Sequence, residues 1–281
     1  MNTINSRWSS RRGTWRIAAA MPLILFFAPH IAGAESITGS VKTWLEIRAA
    51  NRAAEALGNR NISKKERLRI EQIYYQLVRD NPQSAAAHNA LAVFLWNSGK
   101  PDGAIEHWRT AQRLQPDNGE AADSLGGAYL RMGRVREAAA QFSLAIRCDN
   151  GNADYHFDLA NIEFVFRHDL AAAWKMDSAE LARRALSEYR EASRLAPTDR
   201  KLAGAYAETF YVMPNPDWKE AQVAWQRYLE LSTNRSFAYL QLARVSLKQR
   251  NKAEALSFLD KIPEPSFSGV KEKLRKQADA L

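Results

Sequence analysis

A sequence pattern recurs at a fixed spacing in the middle of this 281-residue chain. The interval that separates Leu91 from Leu125 also separates Trp108 from Phe142. A fixed period of about 34 residues is typical of a solenoid, in which each unit is too small to bury its own apolar face and stacks on its neighbours. The repeat therefore constrains the fold more than any other feature of the sequence.

Each repeat has the pattern of two amphipathic helices joined by a turn. Apolar side chains recur at helical spacing over residues 85–98, and Gly99 then predicts a helix end because glycine tolerates the left-handed conformation. Pro101 suits the first turn of a second helix. Small side chains at Ala92 and Ala104 let two antiparallel helices approach closely. The predicted core residues of the two best units are Leu91, Ala92, Ala104, Trp108, Leu125, Gly126, Tyr129, Ala138 and Phe142.

This alternation of small and large residues resembles the tetratricopeptide repeat family. The resemblance is strongest over residues 85–118 and 119–152. It implies an all-α fold, a right-handed α-solenoid of helix-turn-helix repeats with a C-terminal capping helix. The residues that carry it are Leu91, Ala92, Gly99, Ala104, Trp108, Ala111 and Pro116 in the first unit and Leu125, Gly126, Tyr129, Gly133, Ala138, Phe142 and Ala145 in the second.

Weaker copies of the pattern follow the two best units. The third unit opens well with Leu159 and Ala160, but its second-helix residues come 13 residues late, which predicts a helical insert at 164–176. The predicted boundaries are 35–61 for a basic N-terminal helix, 62–262 for the solenoid, 153–198, 199–233 and 234–263 for its third to fifth units, and 264–281 for the capping helix.

Residues 1–34 have the pattern of an export signal. Residues 1–16 carry four arginines and no acid, an apolar run follows at 17–28, and small residues precede a predicted cleavage after Ala34. The run is short for a membrane span and Pro22 interrupts it, so no stable span is expected after cleavage. An uncleaved anchor and twin-arginine export remain alternatives to general secretion.

The positive charge of the chain is concentrated in two places. The formal net charge is +9, and it falls to +5 without residues 1–34. That remaining excess lies within residues 42–69, so a uniformly basic nucleic-acid surface is not predicted. The segment 42–69 leaves one alternative function open, which is binding of a polyanion or an anionic membrane surface.

The binding surface is predicted on the first helix of each unit, on the side opposite its buried stripe. In a stacked solenoid this side lines a concave groove. The groove is predicted to be acidic at its middle, with aromatic side chains on both flanks, and to bind a protein segment that carries Lys or Arg beside an apolar side chain. The predicted groove residues are Asn89, Val93, Trp96, Asn97, Glu120, Asp123, Arg131, Asp154, Phe157, Asp158, Asn161, Phe164, Glu208, Tyr211 and Arg244.

Signals for catalysis or metal binding are sparse. The histidines His88, His107, His156 and His168 lack metal-ligand spacing, and two of them occupy a packing position of the repeat. A phosphate-binding loop and a nucleophile elbow are absent from the sequence, and one cysteine, Cys148, excludes an intrachain disulfide. The sequence therefore predicts a non-catalytic protein-binding scaffold of the cell envelope without a cofactor or metal, with an enzyme that uses the insert as the least favoured alternative.

Overall fold

In the computed structural model the chain forms α-helices joined mainly by short turns. The structure describes residues 42–43, 45–51, 63–233, 235–263 and 265–281, and within these ranges it contains no strand. Two compact units divide the chain, unit 1 ending at Cys148 and unit 2 beginning at Asp149. The predicted all-α fold is confirmed. The predicted signal at 1–34 and most of the segment 35–61 lie outside the described residues.

Unit 1 is a series of helices in which each packs on the next. α2 packs on α3 and α4 on α5 as hairpins, while α1 contacts α2 and α3 contacts α4. This nearest-neighbour pattern is that of a solenoid, because each hairpin covers the apolar face of the one beside it. The helices are α1 (Lys64–Asp80), α2 (Ala85–Asn97), α3 (Pro101–Leu114), α4 (Gly119–Arg131) and α5 (Val135–Cys148), and residues 42–43 and 45–51 are also helical.

Local side chains fix where the helices of unit 1 begin and end. Ser63, Ser84 and Asn118 each accept a hydrogen bond from a backbone N–H in the first turn of α1, α2 and α4. These caps satisfy donors that a helix start leaves without partners. Gly99 and Gly133 follow α2 and α4 with φ of +76° and +73°, values that favour glycine. The turns of the two hairpins therefore follow from the repeating sequence.

The core of unit 1 lies between the paired helices, at the recurring apolar positions. Gly126 allows α4 to approach α5 closely, because a Cβ atom there would lie only 2.7 Å from ring carbons of Phe142. That ring is fully buried. All nine residues predicted for this core are buried: Leu91, Ala92, Ala104, Trp108, Leu125, Gly126, Tyr129, Ala138 and Phe142.

Unit 2 contains three hairpins, an extra helix and a terminal helix. The hairpins are α6 with α8, α9 with α10, and α11 with α12, and the last helix packs on both α11 and α12. The described helices are α6 (Ala153–Val165), α7 (Arg167–Trp174), α8 (Ser178–Leu195), α9 (Arg200–Thr209), α10 (Trp218–Leu231), α11 (Arg235–Lys248), α12 (Lys252–Asp260) and α13 (Ser268–Asp279), with a short 3-10 turn at Phe210–Val212.

The extra helix α7 accounts for the delayed second helix of the third repeat. The predicted insert 164–176 includes the last turn of α6, and the added helix itself starts later, at Arg167. Leu170 and Ala171 are its buried residues, and α7 packs against α8. Asp177 then caps α8 by accepting from the backbone N–H of Ala179 at 3.0 Å. The insertion therefore leaves the pairing of α6 with α8 intact.

The last helix, α13, covers the end of the helical array in unit 2. Leu274 and Ala278 are buried on its inner side. Lys271 Nζ donates to the carbonyl oxygen of Ile262 at 2.8 Å, so a buried ammonium group has an acceptor. The predicted capping helix is confirmed. Among the described helices, none combines the length and the apolar character needed to cross a membrane.

Candidate functional site

The predicted groove residues lie on the first helices of the hairpins and on the turn after α9. We call the two surfaces face 1 and face 2. Face 1 consists of Asn89, Val93, Trp96 and Asn97 on α2 and Glu120, Asp123 and Arg131 on α4. Face 2 consists of Asp154, Phe157, Asp158, Asn161 and Phe164 on α6, Glu208 on α9, Tyr211 on the 3-10 turn and Arg244 on α11.

Trp96 is the anchored aromatic residue of face 1. Its ring centroid lies 5.7 Å from that of Trp108, and Cζ of Arg131 lies 5.1 Å from the Trp96 ring. Trp96 is half-buried and Arg131 is exposed. A guanidinium group over an exposed ring contributes about 0.5–1 kcal/mol. The structure thus brings two predicted groove residues together from α2 and α4 and holds one ring in place.

Asn89 places a buried amide two helical turns before Trp96 on α2. It is 7% exposed, and its side chain donates a hydrogen bond to Glu120 on α4. Burial raises the pKa of Glu120, and the hydrogen bond from Asn89 opposes part of that rise. Asn89 Oδ1 has no hydrogen-bond partner among the described residues. A buried acceptor in that state costs about 1–3 kcal/mol of stability.

Two of the four acids predicted for the middle of the groove are buried. Asp123 is 2% exposed and Asp158 is 5% exposed, so neither carboxylate forms an accessible surface. The reason is the depth of the two helices, because α4 is buried throughout 121–129 and α6 throughout 155–160. Side chains as short as aspartate remain inside such a helix array. The accessible residues of face 1 are instead Arg131 and Asn97, with Val93 and Glu120 half-buried.

Tyr189 lies beneath face 2 and was not predicted as a groove residue from the sequence. It lies on α8, a second helix, is 3% exposed, and its hydroxyl donates to Asn161 Oδ1 at 2.7 Å. The rings of Phe157 and Phe164 meet its ring edge-on at 5.8 and 6.2 Å. Burial, and then the nearby carboxylates of face 2, raise the pKa of Tyr189. Its position matches the large packing residue of the repeat, so the sequence indicates its burial but not its hydrogen bond to Asn161.

The accessible charges of face 2 have both signs. Glu208 is exposed, while Arg244 is half-buried and donates to Gln241 Oε1 at 3.2 Å. Tyr211 donates its hydroxyl to the backbone oxygen of Gln241 at 3.2 Å, which holds the ring at the surface. Burial raises the pKa of Tyr211, and nearby Arg244 lowers it in part. Face 2 is therefore a mixed polar and aromatic surface, with Asp154 half-buried at its edge.

The other residues considered from the sequence lie away from both faces. His88 and His156 are buried at 8% and 6% exposure, and His168 is exposed on α7. Within the ranges that the structure describes, no three His, Cys, Asp or Glu side chains gather as a metal site. The thiol of Cys148 is half-buried, and burial raises its pKa.

The basic segment 42–69 lies partly outside the described residues. Lys42 Nζ is 3.8 Å from a carboxylate oxygen of Glu46, and Lys65, Arg67 and Arg69 are exposed on the outside of unit 1. Binding of a polyanion or membrane surface by this segment stays a prediction.

A cavity of about 640 Å³ opens on another side of unit 1, near α3 and the turn before α5. Ile105, Arg109, Met132 and Arg134 are among its lining residues. Arg109 Nη2 donates to the hydroxyl of Tyr129 at 2.9 Å, and Cζ of Arg134 lies 4.5 Å from the same ring. Both arginines are thus used to hold a core tyrosine, which explains their position without a ligand.

Stacked two-helix hairpins with a regular period define a class, the α-helical repeat proteins. The family model that matches the sequence is the tetratricopeptide repeat, over residues 72–119 and 95–153. Residues 72–153 are thus similar in sequence to the tetratricopeptide repeat family.

Three solved structures illustrate the likeness of fold. YrrB, a TPR protein with an unusual peptide-binding site, is 18% identical, with 74% of this chain and 98% of that chain covered and a TM-score of 0.55. PilF of Pseudomonas aeruginosa is 16% identical, with 86% and 98% covered and a TM-score of 0.55. A chain of Naa15/Naa10 bound to HypK-THB is 15% identical, with 85% and 34% covered and a TM-score of 0.58. At these identities the likeness concerns the fold alone, and no curated protein matches the sequence significantly.

Proposed function

We propose that this protein is a non-catalytic scaffold of the cell envelope that binds an extended segment of another protein on face 1. The fold itself supports a protein–protein interaction scaffold in general, because stacked repeats use one side of each first helix for packing and leave the other for recognition. The finer proposal rests on one observation: the half-buried ring of Trp96 is held in place by Trp108 and by the exposed Arg131.

A peptide segment matches the accessible part of face 1. An apolar side chain of the segment packs on Trp96, whose orientation is already held by Trp108 and Arg131. A ring that is held in place loses little entropy on binding. The described peptide-binding site of the similar protein YrrB supports a peptide as the ligand class.

The charge expected of the partner follows from the groups that are accessible. Arg131 is the exposed charge of face 1, and its guanidinium keeps N–H groups that can donate to a carboxylate. The segment is therefore expected to carry an acidic side chain near its apolar one, in place of the Lys or Arg predicted from the sequence. An exposed pair of this kind makes binding salt-dependent and modest in strength.

Peptide selection tests this proposal. Peptides enriched from a random display library on the full chain are measured by fluorescence anisotropy against the wild type and the Trp96→Ala and Arg131→Ala variants. Trp96→Ala is expected to weaken binding by about tenfold, which corresponds to about 1.4 kcal/mol. Arg136→Ala is the matched control, since Arg136 is exposed on α5, a second helix. Unchanged affinity in a folded Trp96→Ala variant would contradict the proposal.

The envelope location is a separate part of the proposal. Its support is the order of basic, apolar and small residues in 1–34. Protein isolated from its native host is expected to begin at Glu35 by intact-mass measurement. A full-length chain in the soluble cytoplasmic fraction would contradict export and leave the peptide-binding part of the proposal standing.

A further inference from the structure

Two hairpins carry a buried histidine at the same repeat position. His88 on α2 and His156 on α6 are separated by two repeat periods. In both, Nε2 lies against the carbonyl oxygen of the residue six positions earlier, 3.2 Å from that of Pro82 and 3.0 Å from that of Asn150. Because a carbonyl oxygen only accepts hydrogen bonds, Nε2 must carry a hydrogen in both histidines.

The second ring nitrogen meets a different partner in each hairpin. His88 Nδ1 is 2.9 Å from His107 Nδ1 on α3, whereas His156 Nδ1 is 2.6 Å from Glu188 Oε2 on α8. His107 and Glu188 are themselves equivalent once the 13 inserted residues are subtracted. The chain has therefore placed an imidazole and a carboxylate at the same repeat position, facing the same buried histidine.

One added proton has opposite consequences at these two places. In the neutral pair, His107 Nδ1–H donates to the lone pair of His88 Nδ1. A proton on His88 puts hydrogens on both facing nitrogens, breaks that bond and brings positive charge to rings whose centroids are 5.1 Å apart. Neutral His156 Nδ1 and an ionised Glu188 are both acceptors, so a proton on His156 instead supplies the hydrogen of this contact and makes it an ion pair.

The surroundings of the pair in unit 1 do not supply a compensating carboxylate. Glu106, next to His107 on α3, favours its charged form, but burial and His88 outweigh it and the pKa of His107 is lowered. Tyr75 of α1 meets the His107 ring edge-on at 6.3 Å. Four other charged groups on α1 and α4 have partners of their own: Glu71 with Lys100, Glu120 with Asn89, and Arg79 and Asp80 with Gln76.

We propose that the α2–α3 hairpin is an acid-sensitive element, which loosens when its histidine pair takes up protons, while the α6–α8 hairpin keeps its histidine contact in acid. The native pair binds fewer protons than the unfolded chain as pH falls through the ordinary imidazole value of 6.5, so the stability of this hairpin falls with pH. α2 also carries Asn89 and Trp96, so loosening changes face 1. The loosening itself is independent of any partner.

Amide hydrogen exchange of the full chain at pH 7.5 and 5.5, corrected for intrinsic rates, tests the proposal hairpin by hairpin. Protection of α2–α3 peptides is expected to fall at pH 5.5, with a ceiling of about tenfold per pH unit for each proton. His107→Glu copies the arrangement of α6–α8 and is expected to reverse the trend. His107→Gln keeps a donor to His88 without a second imidazole. In this variant most of the fall in α2–α3 protection at pH 5.5 is expected to disappear.

The matched comparison is Glu188→Gln in unit 2. Burial raises the pKa of Glu163 on α6 to about 7, so this group also titrates in the range tested. The protection of α6–α8 is therefore compared in proteins that all carry Glu163→Gln. Adding Glu188→Gln is expected to remove the remaining acid-favoured protection. Equal protection of wild-type α2–α3 at both pH values would overturn the proposal. The proposal would also be overturned if His107→Glu lost as much α2–α3 protection at pH 5.5 as the wild type. If His107→Glu does not fold, the same loss persisting in His107→Gln would overturn it.

Discussion

Gly126 shows how strongly a single position in the repeat depends on its neighbour. A Cβ atom at this position would lie 2.7 Å from two carbons of the Phe142 ring, which is 0% exposed and has no space to move into solvent. The close approach of α4 and α5 therefore requires glycine at position 126.

Gly126→Ala is expected to destabilise the protein. Alanine gains up to about 1 kcal/mol over glycine inside a helix, whereas overpacking a tight core costs about 1–3 kcal/mol, so the loss prevails. Gly269→Ala on α13 is the control, because a Cβ atom there meets nothing within 4 Å and only the helical gain remains. Urea unfolding followed by circular dichroism distinguishes the two. A Gly126→Ala protein as stable as Gly269→Ala would show that the α4–α5 contact is misassigned.

Single residues also show what the sequence can and cannot predict about the candidate site. The packing positions were readable because small and large side chains recur with the repeat period, and Leu91 and Leu125 are fully buried. The helix face of Asp123 and Asp158 was also readable, but their depth was not, because burial depends on the helices packed alongside. The hydrogen bond from Tyr189 to Asn161 was missed for the same reason, since it joins a second helix to a first helix.

At the scale of the element, the insert helix α7 begins beside an unusual buried charge. Glu163 is 0% exposed and occupies the repeat position of Leu95 and Tyr129. Its Oε1 is 2.5 Å from Arg184 Nη2, while Oε2 has no hydrogen-bond partner among the described residues. Burial raises the pKa of Glu163 to about 7, with Arg184 opposing part of the rise.

Glu163→Gln is expected to stabilise the protein at alkaline pH. The folded-state pKa lies above the ordinary value of 4.5, so the native state binds the extra proton and loses stability as pH rises from 4.5 through about 7. The neutral amide avoids that loss, and a gain of about 1–2 kcal/mol over the wild type is expected at pH 8. Thermal melting at several pH values measures the difference, which should shrink toward pH 5. A variant less stable than the wild type at pH 8 would show that the ion pair with Arg184 outweighs burial.

The sequence predicted the extra helix α7 but not its boundaries. A delay of 13 residues in the second-helix pattern indicated an insert, and the structure has a helix there. The predicted start at 164 was too early, because α6 continues to Val165 and no Gly or Pro marks its end. Lys175, in the left-handed conformation at φ 54°, ends α7 without any glycine signal.

At the scale of the whole molecule, each described helix packs on its neighbours along the chain within its own unit. Such local connectivity explains why a periodic sequence was sufficient to predict the fold class. It also leaves the first-helix side of each hairpin for recognition, and on face 1 that side combines the anchored ring of Trp96 with the exposed Arg131. Segment binding at this position is the central claim about the molecule.

Locating a bound peptide tests that claim most directly. A library-selected peptide with a benzophenone in place of its apolar side chain is photo-crosslinked to the full chain, and the adduct is mapped by mass spectrometry. The claim predicts adducts on α2 around Val93, Trp96 and Asn97, reduced when unlabelled peptide competes. Adducts confined to α3, α5 or the basic segment 42–69 would contradict it.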